Sequence, residues 1–345
     1  MTDDLPEVRK SHPYLMYEML KNTPAGIRKT IEVMNKVDYS FLTDRLCFTG
    51  NGTAYHSSTL GAQILWDSEK EWNSIQAFEL EHYHNIRGTL VGFSHTGKTK
   101  STVDAMNSVG GGVKKVGISH YSGTPLLNSS SYGIVIGDSP DLSLCNTKAF
   151  FDNAFAALEI SRIFGGIKLD ASAFADLIEN EISGQEKRIS KAVDLLPEPR
   201  DIFVLGAGPS YIAAREAAQK IKESTHLHAE GIELEEFNHG CTSVIDDRSL
   251  VIIINSPEVN QRTSDIVKAC KTVGTATLVI NGEGDQSVNV KVPQNHYLYP
   301  IAAMVPLYYV AYFLALKTGI NPDYLRFEDS RYLEYDNIVF PPGAH

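Results

Sequence analysis

The sequence predicts an α/β fold made of two doubly wound parallel sheets, and two observations support this. Short apolar strands alternate with helices along the 345 residues, which is the order that produces βαβ units. The order of segments in the first half then recurs in the second half, and two copies of about 150 residues each fit the length of the chain. We therefore predict two tandem, flavodoxin-like subdomains.

The first half opens with a helix and then alternates between strands and helices. Apolar residues at helical spacing predict a helix over residues 13–37, with a break at Pro24. The predicted elements that follow are a strand at 46–52, a helix at 57–66, strands at 90–93, 115–119 and 132–136, and a closing helix at 146–164. Turn-rich segments such as SGTPLLNSSS separate the strands.

The second half repeats this arrangement after a polar helix at 170–195 and a boundary that contains two prolines. Tyr211 stands three residues after Gly208, as Tyr55 stands three residues after Gly52. The predicted elements are a strand at 201–208, a helix at 213–223, strands at 250–255, 275–281 and 288–292, and an apolar helix at 301–316. We divide the chain into an N-terminal helical segment (1–40), a first domain (41–168), a linking helix (169–199), a second domain (200–320) and a C-terminal tail (321–345).

Composition and charge exclude several classes of protein. The chain is 43% hydrophobic and 21% charged, which is typical of a soluble globular protein. Its net charge of -11 argues against a nucleic-acid binder, because phosphate backbones attract clustered Lys and Arg. The N-terminus lacks the apolar core of a signal peptide, and the apolar run at 301–316 is interrupted by Pro306 and shorter than a membrane span. We expect a cytoplasmic protein with no membrane and no nucleic-acid partner.

The metal-ligating residue types show no recognised spacing. The four cysteines lie far apart, form no CxxC or Cys/His pattern, and are expected to be free thiols. His226, His228 and Glu230 are close in sequence, but no third ligand follows at a recognised spacing. We expect no metal and no cofactor.

Residues 94–99, SHTGKT, follow a predicted strand directly and precede a helix; we call them the 94–99 loop. Backbone N–H groups, hydroxyls and the helix dipole at such a turn suit a phosphate group, although an ordinary helix cap has the same composition. The spacing of a Walker A loop is absent, and Tyr55 occupies the last glycine position of a dinucleotide fingerprint. Asn146 and Thr147 stand at the start of the closing helix, where their side chains could cap that helix or bind a ligand.

Residues 219–240, QKIKESTHLHAEGIELEEFNHG, concentrate histidine, glutamate and lysine beside apolar residues. Acids, bases and ammonium groups held together are what proton transfer on a small polar substrate needs. A charged helix end followed by a polar turn explains the same composition. The residues alone leave both interpretations open.

Several segments, in one order, resemble the sugar isomerase (SIS) domain family in its double-domain form. The segments are His12 with Met16–Glu18 and Pro24, GNGTAY at 50–55, SHTGKT at 94–99, CNTKAF at 145–150, KIKE at 220–223, HAEG at 228–231 and EEFNHG at 235–240. The pattern is most similar to the isomerase half of glucosamine-6-phosphate synthases and to their stand-alone deaminase relatives. The resemblance covers nearly the whole chain and implies two SIS-type subdomains.

The resemblance implies an active site for a phosphosugar. Glu223 would be the base that moves a proton between C1 and C2, with Lys220 near it. His239 would assist ring opening in the site of the neighbouring subunit, so that a homodimer shares its active sites. The residues implied to bind phosphate or sugar are Gly52, Thr53, Ser94, His95, Thr96, Thr99, Leu144, Asn146 and Thr147.

The chain also departs from the family pattern. Ala54, His95 and Lys98 replace a serine, a glutamine and a glutamate, and no lysine follows Lys317 in the tail, where the synthases carry one that reaches the sugar. Residue 2 is Thr rather than a cysteine nucleophile, so the resemblance predicts no glutaminase activity.

We expect an aldose–ketose isomerase or deaminase that acts at C1/C2 of a 6-phosphorylated amino sugar, such as conversion of glucosamine 6-phosphate to fructose 6-phosphate and ammonia. One alternative is a fructosamine-6-phosphate deglycase, which the Arg331-Tyr332 tail favours. The other is a non-catalytic phosphosugar-binding sensor.

Overall fold

The computed structural model describes residues 9–293 and 295–340, which divide into two compact units. The first unit contains Asn22–Asp176 and residues 326–340, and the second contains Arg9–Lys21 and Leu177–Leu325. Each unit is built around one five-stranded sheet. The five-segment division of the chain given above stays a proposal.

The sheet of the first unit is fully parallel, with the strand order β2-β1-β3-β4-β5. Its strands are β1 (Arg45–Gly50), β2 (Glu71–Gln76), β3 (Thr89–Phe93), β4 (Lys114–Ser119) and β5 (Tyr132–Val135). The α-helices that end before residue 170 are α1 (Leu15–Met34), α2 (Gly52–Ala62), α3 (Ala77–Tyr83), α4 (Lys100–Ser108), α5 (Pro125–Asn128) and α6 (Thr147–Gly165). Two 3₁₀ turns lie among them, at Tyr39–Phe41 and Gln63–Leu65.

The second sheet repeats this topology, since its order β10-β9-β8-β6-β7 has the same pattern when its strands are numbered within the unit. Its strands are β6 (Asp201–Gly206), β7 (His228–Glu233), β8 (Ser249–Ile254), β9 (Ala276–Ile280) and β10 (Gln286–Val288). The remaining helices are α7 (Ala171–Leu195), α8 (Pro209–Thr225), α9 (Asn260–Thr272), α10 (Tyr299–Lys317) and α11 (Ser330–Val339), with 3₁₀ turns at Glu236–Asn238, Cys241–Ser243, Pro257–Val259 and His296–Leu298. The order 2-1-3-4-5 is that of flavodoxin-like folds and confirms the predicted fold class.

Equivalent glycines show the duplication at the level of single residues. Gly52 and Gly208 end the turns after the first strand of each unit, and both have φ of +51°, a region that glycine enters without strain. The matching spacing of these glycines to Tyr55 and Tyr211 in the sequence therefore reflects one backbone turn used twice.

The central strands β3 and β8 are buried along their whole length. Parallel strands covered on both faces read as continuous apolar runs, which is why they were predicted correctly. Helix α10 is long and apolar enough to cross a membrane, but 94% of its most apolar window is buried within the structure. It is a core helix, as predicted.

Two predictions about elements were wrong. The edge strands β2 (EWNSIQ) and β7 (HAEGIE) were missed, because an edge strand of polar sequence gives no apolar run. The predicted break at Pro24 is absent from the described structure, since α1 continues through it. Leu20 and Ile27, on either side of the proline, are both buried, and their burial outweighs the missing N–H, which costs about 3 kcal/mol.

Candidate functional site

A cleft lies in the first unit at the carboxyl ends of β1 and β3, where the strand order reverses. Open α/β sheets bind ligands at such a switch point. The cleft holds about 620 Å³ of space, part of it open to solvent. Its lining residues are Asn51, Thr53, Ala54, Phe93, Ser94, His95, Thr96, Thr99, Thr102, Asn146, Ala149 and Asn153.

The 94–99 loop is held in shape by its own hydroxyls. Ser94 Oγ accepts from the Gly97 N–H at 3.0 Å and lies 2.9 Å from Thr99 Oγ1. Thr96 Oγ1 accepts from the Lys98 N–H at 3.2 Å. These bonds curl the loop into a compact turn at the end of β3 and place its hydroxyls in the cleft.

Gly97 is required at its position for two reasons. Its φ of +65° lies in the left-handed region, and a Cβ there would collide with the side chain of Thr124. The Gly97 carbonyl accepts from the Leu126 N–H at 2.9 Å, which ties the loop to α5. The glycine of SHTGKT therefore serves the close packing of the loop.

Helix α4 points its N-terminus at the cleft. Thr99 is its N-cap residue but makes no side-chain capping bond in the described structure. Asn51 Nδ2 donates to Ser101 Oγ at 2.8 Å and to Thr102 Oγ1 at 3.1 Å, which joins the first turn of α4 to the turn after β1. A helix N-terminus offers N–H groups and a partial positive charge, and both suit a bound anion.

His95 lines the cleft, and its ring is held in place by contacts with Asp141 and His120. Its Nε2 accepts from the Asp141 N–H at 3.0 Å, and its ring packs edge-on against His120 with centroids 4.8 Å apart. Burial, and then the neighbouring His120 and Lys148, lower the pKa of His95 to about 3. The ring is therefore neutral and carries no positive charge that could attract a phosphate.

A buried ionisable group lies behind this loop. His120 Nε2 is 3.2 Å from Asp152 Oδ2, and both side chains are fully buried. Thr30 Oγ1 donates to Asp152 Oδ1 at 3.4 Å, and the nearby Lys148 pairs with Asp138 and donates to the Ser139 carbonyl at 3.0 Å. Burial raises the pKa of Asp152 to about 8, although Lys148 opposes the shift.

The raised pKa of Asp152 predicts that the stability of the folded protein depends on pH, and that Asp152→Asn removes this dependence. Between an ordinary value of 3.8 and about 8, the folded protein holds a proton on Asp152 that the unfolded chain has released. That stabilisation is complete below pH 3.8 and is lost as the pH rises through about 8. We expect the melting temperature of the wild type to fall relative to that of Asp152→Asn between pH 5 and pH 9. Asp176→Asn, at an exposed position, is the control, and parallel curves for wild type and Asp152→Asn would contradict the assignment.

The start of α6 is capped by a residue outside the helix, several positions earlier in the sequence. Its N-cap residue Asn146 has φ of 51° and makes no capping bond within the described residues. Instead, Asp141 Oδ2 accepts from the N–H groups of Lys148 at 2.7 Å and Ala149 at 3.0 Å, the second and third residues of the helix. Capping therefore belongs to Asp141, and the Asn146 side chain lines the cleft.

The second unit holds the residues predicted to transfer protons. Lys220 Nζ lies 2.6 Å from Glu223 Oε2 and 3.7 Å from Glu216 Oε1, and Gln219 Nε2 donates to Glu223 Oε1 at 2.7 Å. The Tyr308 hydroxyl donates to Glu216 at 3.1 Å. Residues 216, 220 and 223 share one face of α8, because they are spaced by four and three.

Glu223 differs from its neighbours in exposure. Lys220 and Glu216 are buried, whereas Glu223 keeps 22% of its side chain exposed. Burial raises the pKa of Glu223, and the Lys220 ammonium and the Gln219 amide oppose the shift. The result is a reachable carboxylate whose basicity exceeds that of an ordinary glutamate.

His239 follows the 3₁₀ turn Glu236–Asn238 and projects into solvent. Its side chain is 65% exposed, and Nε2 lies 3.9 Å from Glu235 Oε1.

The structure brings together part of the predicted site. Thr53, Ser94, His95, Thr96, Thr99 and Asn146 line one cleft. Among the described residues, Gly52, Leu144 and Thr147 adjoin this lining in sequence without belonging to it, and Lys220, Glu223 and His239 belong to the second unit. Sequence reasoning missed Asn51, Phe93, Thr102, Ala149 and Asn153. The spacing of 146, 149 and 153 along one helix face is the signal that could have found the last two.

Comparisons with known proteins agree with this architecture. Residues 195–304 match the SIS domain family. The chain is 25% identical, over 354 aligned positions, to glutamine–fructose-6-phosphate aminotransferase (isomerizing) of Lactococcus lactis, covering 93% of this chain and 58% of that protein. The chain thus spans little more than half the length of the curated relatives that it matches.

Two solved structures share the fold. The C-terminal domain of glucosamine-fructose-6-phosphate aminotransferase from Francisella tularensis superposes with a TM-score of 0.78 at 17% identity, covering 91% of this chain and 99% of that one. Glucosamine-6-phosphate deaminase from Thermotoga maritima superposes with a TM-score of 0.76 at 20% identity, covering 90% and 97%. The matched segment, the similarity along the chain and the repeated sheet lead to one conclusion. Residues 195–304 match the SIS domain family, and the two five-stranded α/β units have the fold of tandem SIS-type domains.

Proposed function

We propose that this protein is an isomerase or deaminase that acts at C1/C2 of a 6-phosphorylated amino sugar. The observation that carries the proposal is the 94–99 loop, whose hydroxyls line a cleft at the switch point of the first sheet beside the N-terminus of α4. The similarity to amino-sugar-phosphate proteins supports the choice of substrate class. The proposal concerns the sugar-phosphate chemistry, and glutaminase activity is no part of it.

In this proposal the phosphate binds at the 94–99 loop. The hydroxyls of Thr96 and Thr99 and the N–H groups at the start of α4 donate to its oxygens, while Gly52, Thr53 and residues 144–147 border the sugar. The equivalent turn after β8 carries Pro257 and Glu258, where the proline removes an N–H donor and the glutamate repels an anion. One phosphosugar per chain is therefore expected.

Glu223 is the proposed base. It takes the proton from C2 of the open-chain aldehyde and returns it to C1, while a proton of the 2-amino group passes to O1. The 2-amino aldose thereby becomes the C2 imine of the ketose. Addition of water to the imine carbon and loss of ammonia then give the ketose phosphate. Lys220, 2.6 Å from Glu223, keeps the carboxylate ionised between turnovers.

The exposure of His239 supports a homodimer. If this imidazole assists ring opening in the site of a second copy, it must project from its own subunit, and its 65% exposed side chain meets that condition. We propose a cytoplasmic homodimer with shared active sites.

A fructosamine-6-phosphate deglycase is the second candidate, and the C-terminal helix α11 favours it. Arg331 Nε donates to Asp329 Oδ1 at 3.0 Å, and the Tyr332 hydroxyl accepts from Arg326 at 2.7 Å. These contacts hold an arginine and a tyrosine on an exposed helix where the family's tail lysine is missing.

A substrate panel tests the proposal. Glucosamine 6-phosphate, fructosamine 6-phosphate, fructose 6-phosphate and glucosamine are incubated with the protein, and products are identified by mass spectrometry. We expect turnover of glucosamine 6-phosphate and none of glucosamine or fructosamine 6-phosphate, and conversion of fructose 6-phosphate to an aldose phosphate would identify the isomerase. Turnover of fructosamine 6-phosphate alone would establish the deglycase, and binding without turnover of any sugar would establish a sensor.

Thr96→Ala and Thr99→Ala should each raise KM for the phosphosugar about 10- to 150-fold, because each loses a hydrogen bond to a charged oxygen worth about 1.5–3 kcal/mol. Thr272→Ala, at an exposed helix end in the second unit, should leave KM unchanged. Equal turnover of glucosamine and its 6-phosphate would contradict the phosphate site.

A further inference from the structure

Asn153, in the second turn of α6, is a buried polar residue that has no role so far. Only 1% of the residue is exposed. Neither its amide nitrogen nor its amide oxygen has a hydrogen-bond partner among the described residues. Buried amides are nearly always hydrogen-bonded, so two unpaired atoms on one side chain indicate a missing partner.

The helix register identifies where that partner comes from. Asn146, Ala149 and Asn153 lie on one face of α6, and these three are the residues through which that segment lines the cleft. The side chain of Asp152, one residue earlier, contacts His120 instead. Asn153 therefore faces the cavity that contains the 94–99 loop.

We propose that Asn153 binds the hydroxyl-bearing carbon chain of the ligand whose phosphate occupies the 94–99 loop. This inference rests on the proposed function and specifies the ligand further. The amide oxygen accepts one hydrogen bond and the amide nitrogen donates others, so the complementary group carries donors and acceptors together. A polyol phosphate with neighbouring hydroxyls provides that pattern, whereas inorganic phosphate does not extend to it.

The test replaces Asn153 with leucine, which has the same branching and the same number of heavy atoms but no polar atoms. Binding is measured calorimetrically with sorbitol 6-phosphate, which has no carbonyl group and cannot react, and with inorganic phosphate. We expect Asn153→Leu to lose about 10- to 100-fold in affinity for sorbitol 6-phosphate and to keep its affinity for inorganic phosphate. Its melting temperature without ligand should equal or exceed that of the wild type, because unpaired buried polar atoms are removed.

Ser161→Ala is the matched control. Ser161 lies on the same helix, and its hydroxyl is equally buried and unpaired within the described chain, but it does not line the cleft. This variant should bind both phosphates as the wild type does. Asn153→Ala, which removes both polar atoms and adds neither volume nor charge, should show the same selective loss and replaces Asn153→Leu if that variant fails to fold.

Two results would overturn the proposal. Unchanged affinity for sorbitol 6-phosphate in Asn153→Leu and Asn153→Ala would show that the amide does not contact the ligand. An equal loss for both phosphates, together with a lower melting temperature, would show that Asn153 only maintains the fold. If the wild type binds neither phosphate, the proposed function fails and this inference fails with it, whereas wild-type binding that no Asn153 variant alters refutes the inference alone.

Discussion

Glu223→Gln should lower kcat about 10²–10⁴-fold and leave phosphosugar affinity unchanged, which is the usual effect of removing a general base. Glutamine keeps the size of the side chain and still accepts from Gln219, so the end of α8 should fold as before. It cannot take a proton from C2. Steady-state kinetics give kcat, and calorimetry with sorbitol 6-phosphate gives affinity without turnover.

Glu230→Gln provides the control, because Glu230 lies on the neighbouring edge strand β7 with an exposed side chain. Its kcat should equal that of the wild type. Full activity of Glu223→Gln would end the catalytic assignment of residues 219–240, whereas equal losses in both variants would show a general sensitivity to charge in this region.

Mixing two inactive variants extends this test to the partner subunit. If His239 acts in the site of a second copy, a hybrid of Glu223→Gln and His239→Ala chains assembles one site in which both residues are intact. We expect partial recovery of activity once native mass spectrometry shows subunit exchange. Exchanged hybrids without activity would mean that His239 acts within its own chain or takes no part in the reaction.

Symmetrical burial explains why β3, β8 and α10 could be predicted from the sequence. β3 and β8 are covered on both faces, so each is a continuous apolar run, and α10 is buried all round. β2 and β7 lie at sheet edges and carry charged and polar residues, so nothing local separates them from loops. Their pairing with β1 and β6 is what makes them strands.

The same distinction applies to the site. The 94–99 loop is contiguous, and its hydroxyls and glycine could be recognised from the sequence. The residues that fix it are remote: Asp141 meets His95 across 46 positions, and Asp152 meets His120 across 32. Only the fold brings such pairs together, so the sequence offers no local pattern that would reveal them.

Asp141→Ala should lower the free energy of unfolding by about 2–4 kcal/mol, because it removes the shared acceptor of three backbone N–H groups. Asp141 Oδ1 accepts from Ser143 at 2.8 Å, and Oδ2 accepts from Lys148 and Ala149. Burial raises the pKa of Asp141 to about 6, and these three N–H groups oppose the shift. Alanine leaves all three donors unpaired in a buried setting.

The effect should extend to phosphate binding. Alanine keeps the N–H of residue 141, which donates to His95 in the 94–99 loop, but it loses the side-chain bonds to the start of α6 that hold this backbone in place. We expect weaker binding of sorbitol 6-phosphate and of inorganic phosphate alike, which distinguishes this variant from Asn153→Leu. Urea unfolding gives the stability and calorimetry gives the affinities. Asp38→Ala is the control, because the exposed Asp38 caps the turn Tyr39–Phe41 with a single backbone bond from Ser40. Its loss should cost about 0.5–1 kcal/mol. If Asp141→Ala costs no more than Asp38→Ala, then Asp141 is not the residue that joins the start of α6 to the loop.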